Sequence, residues 1–222
     1  MPRIPRGFGD NQVYHVINRG NARNKVFHKD DDYISFIRLL KEAIARHPVK
    51  LYAYCLMPNH FHFLMSPYQA KDLSSCMQWL MTSHVRRYHT HYGSTGHIWQ
   101  GRFKSFIVEE DSHIITVDRY IEGNPVRGGI VTTAAAWPWS SHAESAGLIP
   151  CRFVSCLPVE LPEDWTHYVD TPLNEAELEK MRRSISRQTP YGDEQWQKKV
   201  ALDYNLEATL HPIGRPRKSG EA

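Results

Sequence analysis

Residues 50–66 read Lys50-Leu51-Tyr52-Ala53-Tyr54-Cys55-Leu56-Met57-Pro58-Asn59-His60-Phe61-His62-Phe63-Leu64-Met65-Ser66, two apolar, aromatic-rich runs broken by a single Pro-Asn step. Lys50 to Met57 is one predicted strand, Pro58-Asn59 a turn and His60 to Ser66 the next strand, so the stretch is a hairpin. Side chains alternate along a strand, which puts His60 and His62 on one face. Two neutral imidazoles side by side can hold a divalent metal. The triplet alone carries little weight: with 13 His in 222 residues, chance supplies about 0.75 such patterns. Its context has to decide.

Working outward, Val13 to Asn18 reads as a strand ended by Arg19-Gly20-Asn21. Asp30 to His47 reads as a helix, with Asp30, Asp31 and Asp32 at the positive end of its dipole. Its predicted buried stripe is Ile34, Ile37, Leu40 (with Phe36) and Ile44, and Pro48 stops it. Asp72 begins a second helix that buries Leu73, Met77, Leu80, Met81 and Val85 and runs out near Tyr92-Gly93. Lys104 to Val108 is a fourth strand. Asp111 or Ser112 caps a further helix that reaches Asn124 and is stopped by Pro125. The order β-α-β-β-α-β-α predicts an α+β fold, a ferredoxin-like or RRM-like antiparallel sheet with helices on one face and the other face open for a substrate. After Gly129 the pattern turns irregular, through Trp137-Pro138-Trp139-Ser140-Ser141 and a Pro-rich stretch over residues 157–172. Asn174 to Arg187, with capping-box spacing at Asn174 and Glu177, and Asp193 to Tyr204 read as two C-terminal helices. The expected division is therefore a catalytic or binding domain over 11–131, an irregular wrap or linker over 132–172, and a helical segment with a basic tail over 173–222.

Composition is that of a globular protein, with 41% hydrophobic and 23% charged residues. No signal-like segment and no run of about 18 apolar residues occurs, so no membrane partner is expected and the default compartment is a reducing cytoplasm. Cys55 lies in an apolar strand; Cys151 and Cys156 have no second pair to complete a zinc site. The net charge of +3 permits a nucleic-acid partner without requiring one. Its distribution says more. From Leu73 to Val108 there is no acidic residue, while Arg86, Arg87, Arg102 and Lys104 fall in that span. Trp79, Tyr88, Tyr92, Trp99 and Phe103 are interleaved with them, a mixture that suits single-stranded nucleic acid, where bases stack and phosphates pair. The plainer reading makes several of these aromatics core and the cations ordinary surface charge.

On the helix from Asp111 to Asn124, Ile114, Val117 and Ile121 form the face toward the sheet. His113, Thr116, Tyr120 and Asn124 line an adjacent stripe, so a phenol and a carboxamide one turn apart could both point at a neighbouring metal. On spacing alone, Tyr120 is equally readable as a half-buried helix residue and Asn124 as a helix terminus before proline.

Met57-Pro58-Asn59-His60-Phe61-His62 together with Arg119-Tyr120-Ile121-Glu122-Gly123-Asn124-Pro125-Val126-Arg127 resembles the single-tyrosine HUH transposases, and among them the REP-associated tyrosine transposases. Tyr14 to Gly20, Trp99-Gln100-Gly101-Arg102-Phe103, Trp137 to Ser141, Tyr191 to Trp196 and Gly214-Arg215-Pro216 fit as well, in order, from about residue 11 to 218; residues 142–190 match least. The resemblance implies a ferredoxin-like HUH nuclease in which His60, His62 and Asn124 ligate a divalent ion and Tyr120 is the nucleophile. It implies single-stranded DNA with a short hairpin, a repetitive extragenic palindrome, as substrate, cleaved and rejoined through a 5′-phosphotyrosine bond by a monomer or homodimer. A His/His/amide set suits Mg²⁺ or Mn²⁺ rather than closed structural zinc. His113 or a metal-bound hydroxide are candidates for the base. Arg86, Arg87, Arg102 and Lys104 are candidate backbone contacts, and Arg215 and Arg217, flanking Pro216, could lie in a narrow minor groove or simply be solvated. The alternative from another class is a non-catalytic single-stranded nucleic-acid-binding module on an RRM-like sheet, with the His pair structural.

Overall fold

The computed structural model describes residues 7, 9–151 and 153–211, so Arg215 and Arg217 lie outside the described residues. Four strands, β1 (Val13–Arg19), β2 (Val49–Met57), β3 (His60–Pro67) and β4 (Lys104–Val108), form one antiparallel sheet in the order β2-β3-β1-β4. With α1 (Asp30–Arg46) between β1 and β2 and α2 (Ala70–Tyr92) between β3 and β4, this is the α+β, ferredoxin-like architecture that the element order predicts. The hairpin forms as read: Met57 opposes His60, and Cys55 opposes His62. Among the described residues no helix is long and apolar enough to cross a membrane.

One face of the sheet carries Tyr14, Val16, Leu51, Leu56, Phe61, Phe63 and Met65 against α1 and α2. The face α1 buries is turned from the expected one. Tyr33, Phe36, Leu40 and Ala43 are inside, whereas Ile34 is 43% exposed. The cause is distant in sequence: Tyr33 stacks on Phe27 and on Trp139, at 4.7 and 4.8 Å between ring centroids. An aromatic sandwich of this kind outweighs burying one more isoleucine.

The opposite face, expected to be open, is covered over much of its area. Helix α3 (Ser112–Glu122) lays Ile114, Val117 and Ile121 on Leu64, Phe106 and Val108, and Met181 and Tyr191 join the same cluster. All three α3 residues are fully buried, which stabilises the docking by about 1.5–3 kcal/mol each. α3 stops at Glu122, earlier than expected, and Asn124 opens the one-turn helix α4 (Asn124–Arg127), with Pro125 at its start.

Both sheet edges are closed by later chain. Along β2, the Leu56 N–H donates to Trp139 O (2.8 Å), the Ser141 N–H to Tyr54 O (2.9 Å) and the Trp137 indole to Leu56 O (3.0 Å). Along β4, the Tyr191 N–H donates to Ile107 O and the Glu109 N–H to Tyr191 O. Open strand edges invite pairing with other chains, and these segments remove them. The remaining helices are α5 (His142–Ser145), α6 (Trp165–Asp170), α7 (Glu175–Arg187) and α8 (Glu194–Asp203).

Candidate active site

The turn before His60 is held from three directions. The Gly20 N–H donates to Asn59 O (2.7 Å), and the Val26 and Phe27 N–H groups donate to Pro58 O (2.8 and 3.0 Å). Gly20 is required there because a Cβ would collide with the Asn24 carbonyl. The start of β3 is thereby fixed against the end of β1, with Arg19 opposite His60 and Ile17 opposite His62.

His60 and His62 share the face that α3 covers, their ring centroids 5.1 Å apart. Asn59 Nδ2 donates to Arg23 O (2.9 Å), which fixes the amide so that its Oδ1 accepts from His60 Nδ1–H at 2.6 Å. His62 Nδ1 lies 2.8 Å from His15 Nε2. His15 is a residue the sequence did not single out. It stands two positions from Ile17 on the same face of β1, diagonal to His62, and its ring stacks on that of His62 at 5.0 Å. In each of the two candidate ligands Nδ1 is engaged, the arrangement by which outer partners orient metal-binding histidines. Burial pushes the His60 imidazole down to about 4, helped by Arg19 and Arg127 and opposed by a hydrogen bond with Asn124. His62 is held well below the usual histidine value by burial and then by His15 and His60. Both rings are therefore neutral near pH 7, the form in which imidazole binds metal.

Tyr120, on the last turn of α3, presents its ring edge-on to His62 at 5.7 Å and to His15 at 6.3 Å. Arg127 lies over that ring at 4.0 Å, donates to Tyr120 O at 2.7 Å and forms a side-chain hydrogen bond with Tyr120. Asn124 is buried and reaches His60. Tyr120, Asn124 and the His pair thus meet within one chain. They meet at the margin of the α3 cover, where His60 and Tyr120 are half-buried and Lys104 and Arg127 exposed.

Other sequence candidates fall elsewhere. His113 sits on the first turn of α3, about 10 Å along the helix axis from Tyr120. It is bound to Asp111 (2.8 Å) and Glu109 (3.5 Å), with Lys180 Nζ 3.2 Å from its other nitrogen. The Glu109, Asp111 and His113 donor atoms lie within 4.8 Å of one another and could hold a cation, but Lys180 already places a charge there. Arg86, Arg102 and Lys104 are exposed; Lys104 opposes Ile17 and so shares the face of His62. Arg87 is half-buried beside Asp32 (4.0 Å). Trp99 and Phe103 belong to the core, Trp79 and Tyr88 are half-buried, and Tyr92 is exposed.

A second group missed in the sequence lies between Tyr120 and Asn124. Glu122, fully buried, accepts from Ser141 Oγ (2.5 Å), Ser145 Oγ (2.7 Å) and Trp165 Nε1 (2.7 Å), with His142 Nδ1 at 2.9 Å. It ties α3 to the wrap of residues 137–166. Asp118, one turn earlier, is buried with neither oxygen hydrogen-bonded among the described residues, and burial drives its carboxyl well above the usual range.

Residues 10–124 match the family model described as Transposase IS200 like. A Haemophilus influenzae protein with the provisional name REP-associated tyrosine transposase is 29% identical over 147 residues, covering 60% of this chain and 77% of that protein. The fold is similar to a solved REP-associated tyrosine transposase bound to a REP hairpin, with a TM-score of 0.56 and 21% identity over 74% of this chain and 97% of that one.

Proposed function

The chain belongs to the IS200-like transposase family, and from that premise we propose that it cleaves and rejoins single-stranded DNA beside a hairpin through a covalent bond to Tyr120. The observation that carries this reading is the convergence of a phenol, two neutral imidazoles and a carboxamide at one end of the sheet, beside exposed cations. A passive binding module has no use for a tyrosine against a histidine pair whose outer nitrogens are already engaged.

His60, His62 and Asn124 are the residues that would hold a divalent ion, Mg²⁺ or Mn²⁺, which when bound polarises a phosphate and stabilises charge growing on its oxygens. Tyr120 Oη gives up its proton to solvent and forms the new bond to phosphorus as the P–O3′ bond breaks, giving a 5′-phosphotyrosine and a 3′-oxygen that takes up a proton from solvent. Arg127, over the Tyr120 ring, supplies a fixed positive charge where anionic oxygens gather. α3 is packed on the sheet, which holds the backbone that carries Tyr120 in place beside the His pair. Because the phosphotyrosine keeps the energy of the broken diester, a 3′-hydroxyl can attack it and rejoin strands without a nucleotide cofactor. The hairpin substrate is carried over from the solved neighbour and from the family motifs.

The test is incubation of the protein and its Tyr120→Phe variant with a 3′-end-labelled hairpin oligonucleotide and Mn²⁺. A labelled band retained on the protein in a denaturing gel, absent from the variant, supports the reading. Equal cleavage by both proteins would exclude Tyr120 as nucleophile.

A further inference from the structure

Helix α2 has a second face. Residues spaced three and four apart from Ser74 to Arg86, with Met77 at the core boundary, border the loop of residues 96–103, and between helix and loop lies a cavity of about 820 Å³. That volume falls in the range of small-molecule sites. Met77, Met81 and Val85 line it from the helix, and Ile98, Trp99 and Phe103 from the loop. Exposed Arg86 and Arg102 also line it, and no acidic residue does. Gly96 and Gly101, at φ of +93° and +152°, border open space, since a Cβ at either would meet nothing within 4 Å.

The loop is tied to the candidate active site. Gln100 N–H donates to Arg19 O (2.9 Å), and Asn18 Nδ2 donates to Gly101 O (3.0 Å). Arg19 stands directly opposite His60 in the sheet. The cavity and the catalytic candidates therefore lie on opposite faces of the same sheet end. Exposed Lys104, next to Phe103, begins the strand that runs to the catalytic face.

We propose that this cavity takes an unpaired nucleobase of the DNA strand that passes through the active site, with Arg86 and Arg102 holding the flanking phosphates. The proposal rests on the function given above and adds to it a site that holds one base position of the strand. The chemistry is that of a flat, apolar, polarisable ring: thioethers and aromatic faces accept it without demanding a hydrogen-bond pattern, and guanidinium groups pair with the phosphates on either side. A cationic ligand would find no carboxylate partner on these walls.

The test uses the full chain and hairpin oligonucleotides in which each single-stranded position flanking the hairpin is made abasic in turn, with affinity read by fluorescence anisotropy. For the unmodified protein, one abasic position weakens binding by about tenfold. Thr82→Trp, at an exposed position in the lining, fills the cavity without entering the core, and in this variant the same abasic position no longer matters. A flat abasic scan, or a Thr82→Trp protein that still discriminates, overturns the proposal. So does a change in solution mass on Thr82→Trp, which would make the cavity a contact between copies of the chain. If the intact oligonucleotide is bound and joined covalently while the scan is flat, the cavity assignment alone fails. If no hairpin oligonucleotide is bound or cleaved, the parent reading fails.

Discussion

Replacing Glu122 with alanine removes the acceptor of four donors at once. The serine hydroxyls have other acceptors within reach: Ser145 Oγ lies 3.3 Å from Ser141 O, and Ser141 Oγ lies 3.2 Å from Tyr54 O. Among the described residues neither the Trp165 indole N–H nor His142 Nδ1 has another acceptor. Each buried group left unpaired costs about 1–3 kcal/mol, and the lost side chain leaves a void on a fully buried helix face. The sum is about 3–6 kcal/mol, a large part of a typical domain's stability. Urea unfolding of Glu122→Ala should show that loss. Glu122→Gln, which keeps the volume but turns one acceptor into a donor facing a donor, should cost about 1–3 kcal/mol. Since Glu122 sits between Tyr120 and Asn124, Glu122→Gln protein that remains folded should also form covalent adduct more slowly. If Glu122→Ala unfolds within about 1 kcal/mol of the parent, the wrap is not held to α3 by this carboxyl group and the account of how Tyr120 is positioned is wrong.

Three further outcomes follow from the same geometry. His62→Ala should lose metal-dependent cleavage by more than about 100-fold while still binding hairpin DNA in a gel-shift assay; unchanged cleavage would remove His62 from the ligand set. Asn59→Ala frees His60 Nδ1 and should weaken apparent Mn²⁺ affinity by about 10–100-fold in a titration of cleavage, with little change at saturating metal. Burial pushes His84 down to about 3 in the folded protein, against about 6.5 when unfolded, so acid below pH 6.5 protonates the unfolded chain first and drains stability. At pH 4.5 that loss is about 2–3 kcal/mol, and it should vanish from the urea profile of His84→Leu; parallel pH profiles for the two proteins would contradict the assignment.

The parts legible in the sequence were those with local causes. The Pro58-Asn59 turn, the alternation through His60 and His62, and the 114-117-121 stripe of α3 follow from neighbours along the chain, and each is present. His15 is different. Its place beside His62 depends on the register of β1 against β3, which no local pattern states. The turned face of α1 depends on Trp139, about 100 residues away from Tyr33, and the Glu122 cluster on groups 19–43 residues downstream. Residues 137–141 matched a family segment without a visible task; their task is to close the β2 edge and receive Glu122. The open sheet face was expected because a two-layer element order does not say where a third layer of later chain will settle.

The central claim is that Tyr120, one of 11 tyrosines, takes the DNA strand. Trapping the adduct on a hairpin oligonucleotide, digesting the protein and sequencing the DNA-linked peptide by mass spectrometry tests it directly. The account predicts one modified peptide, carrying a 5′-phosphate on Tyr120. Cleaved DNA with no linked peptide, or linkage to a different tyrosine, would contradict it.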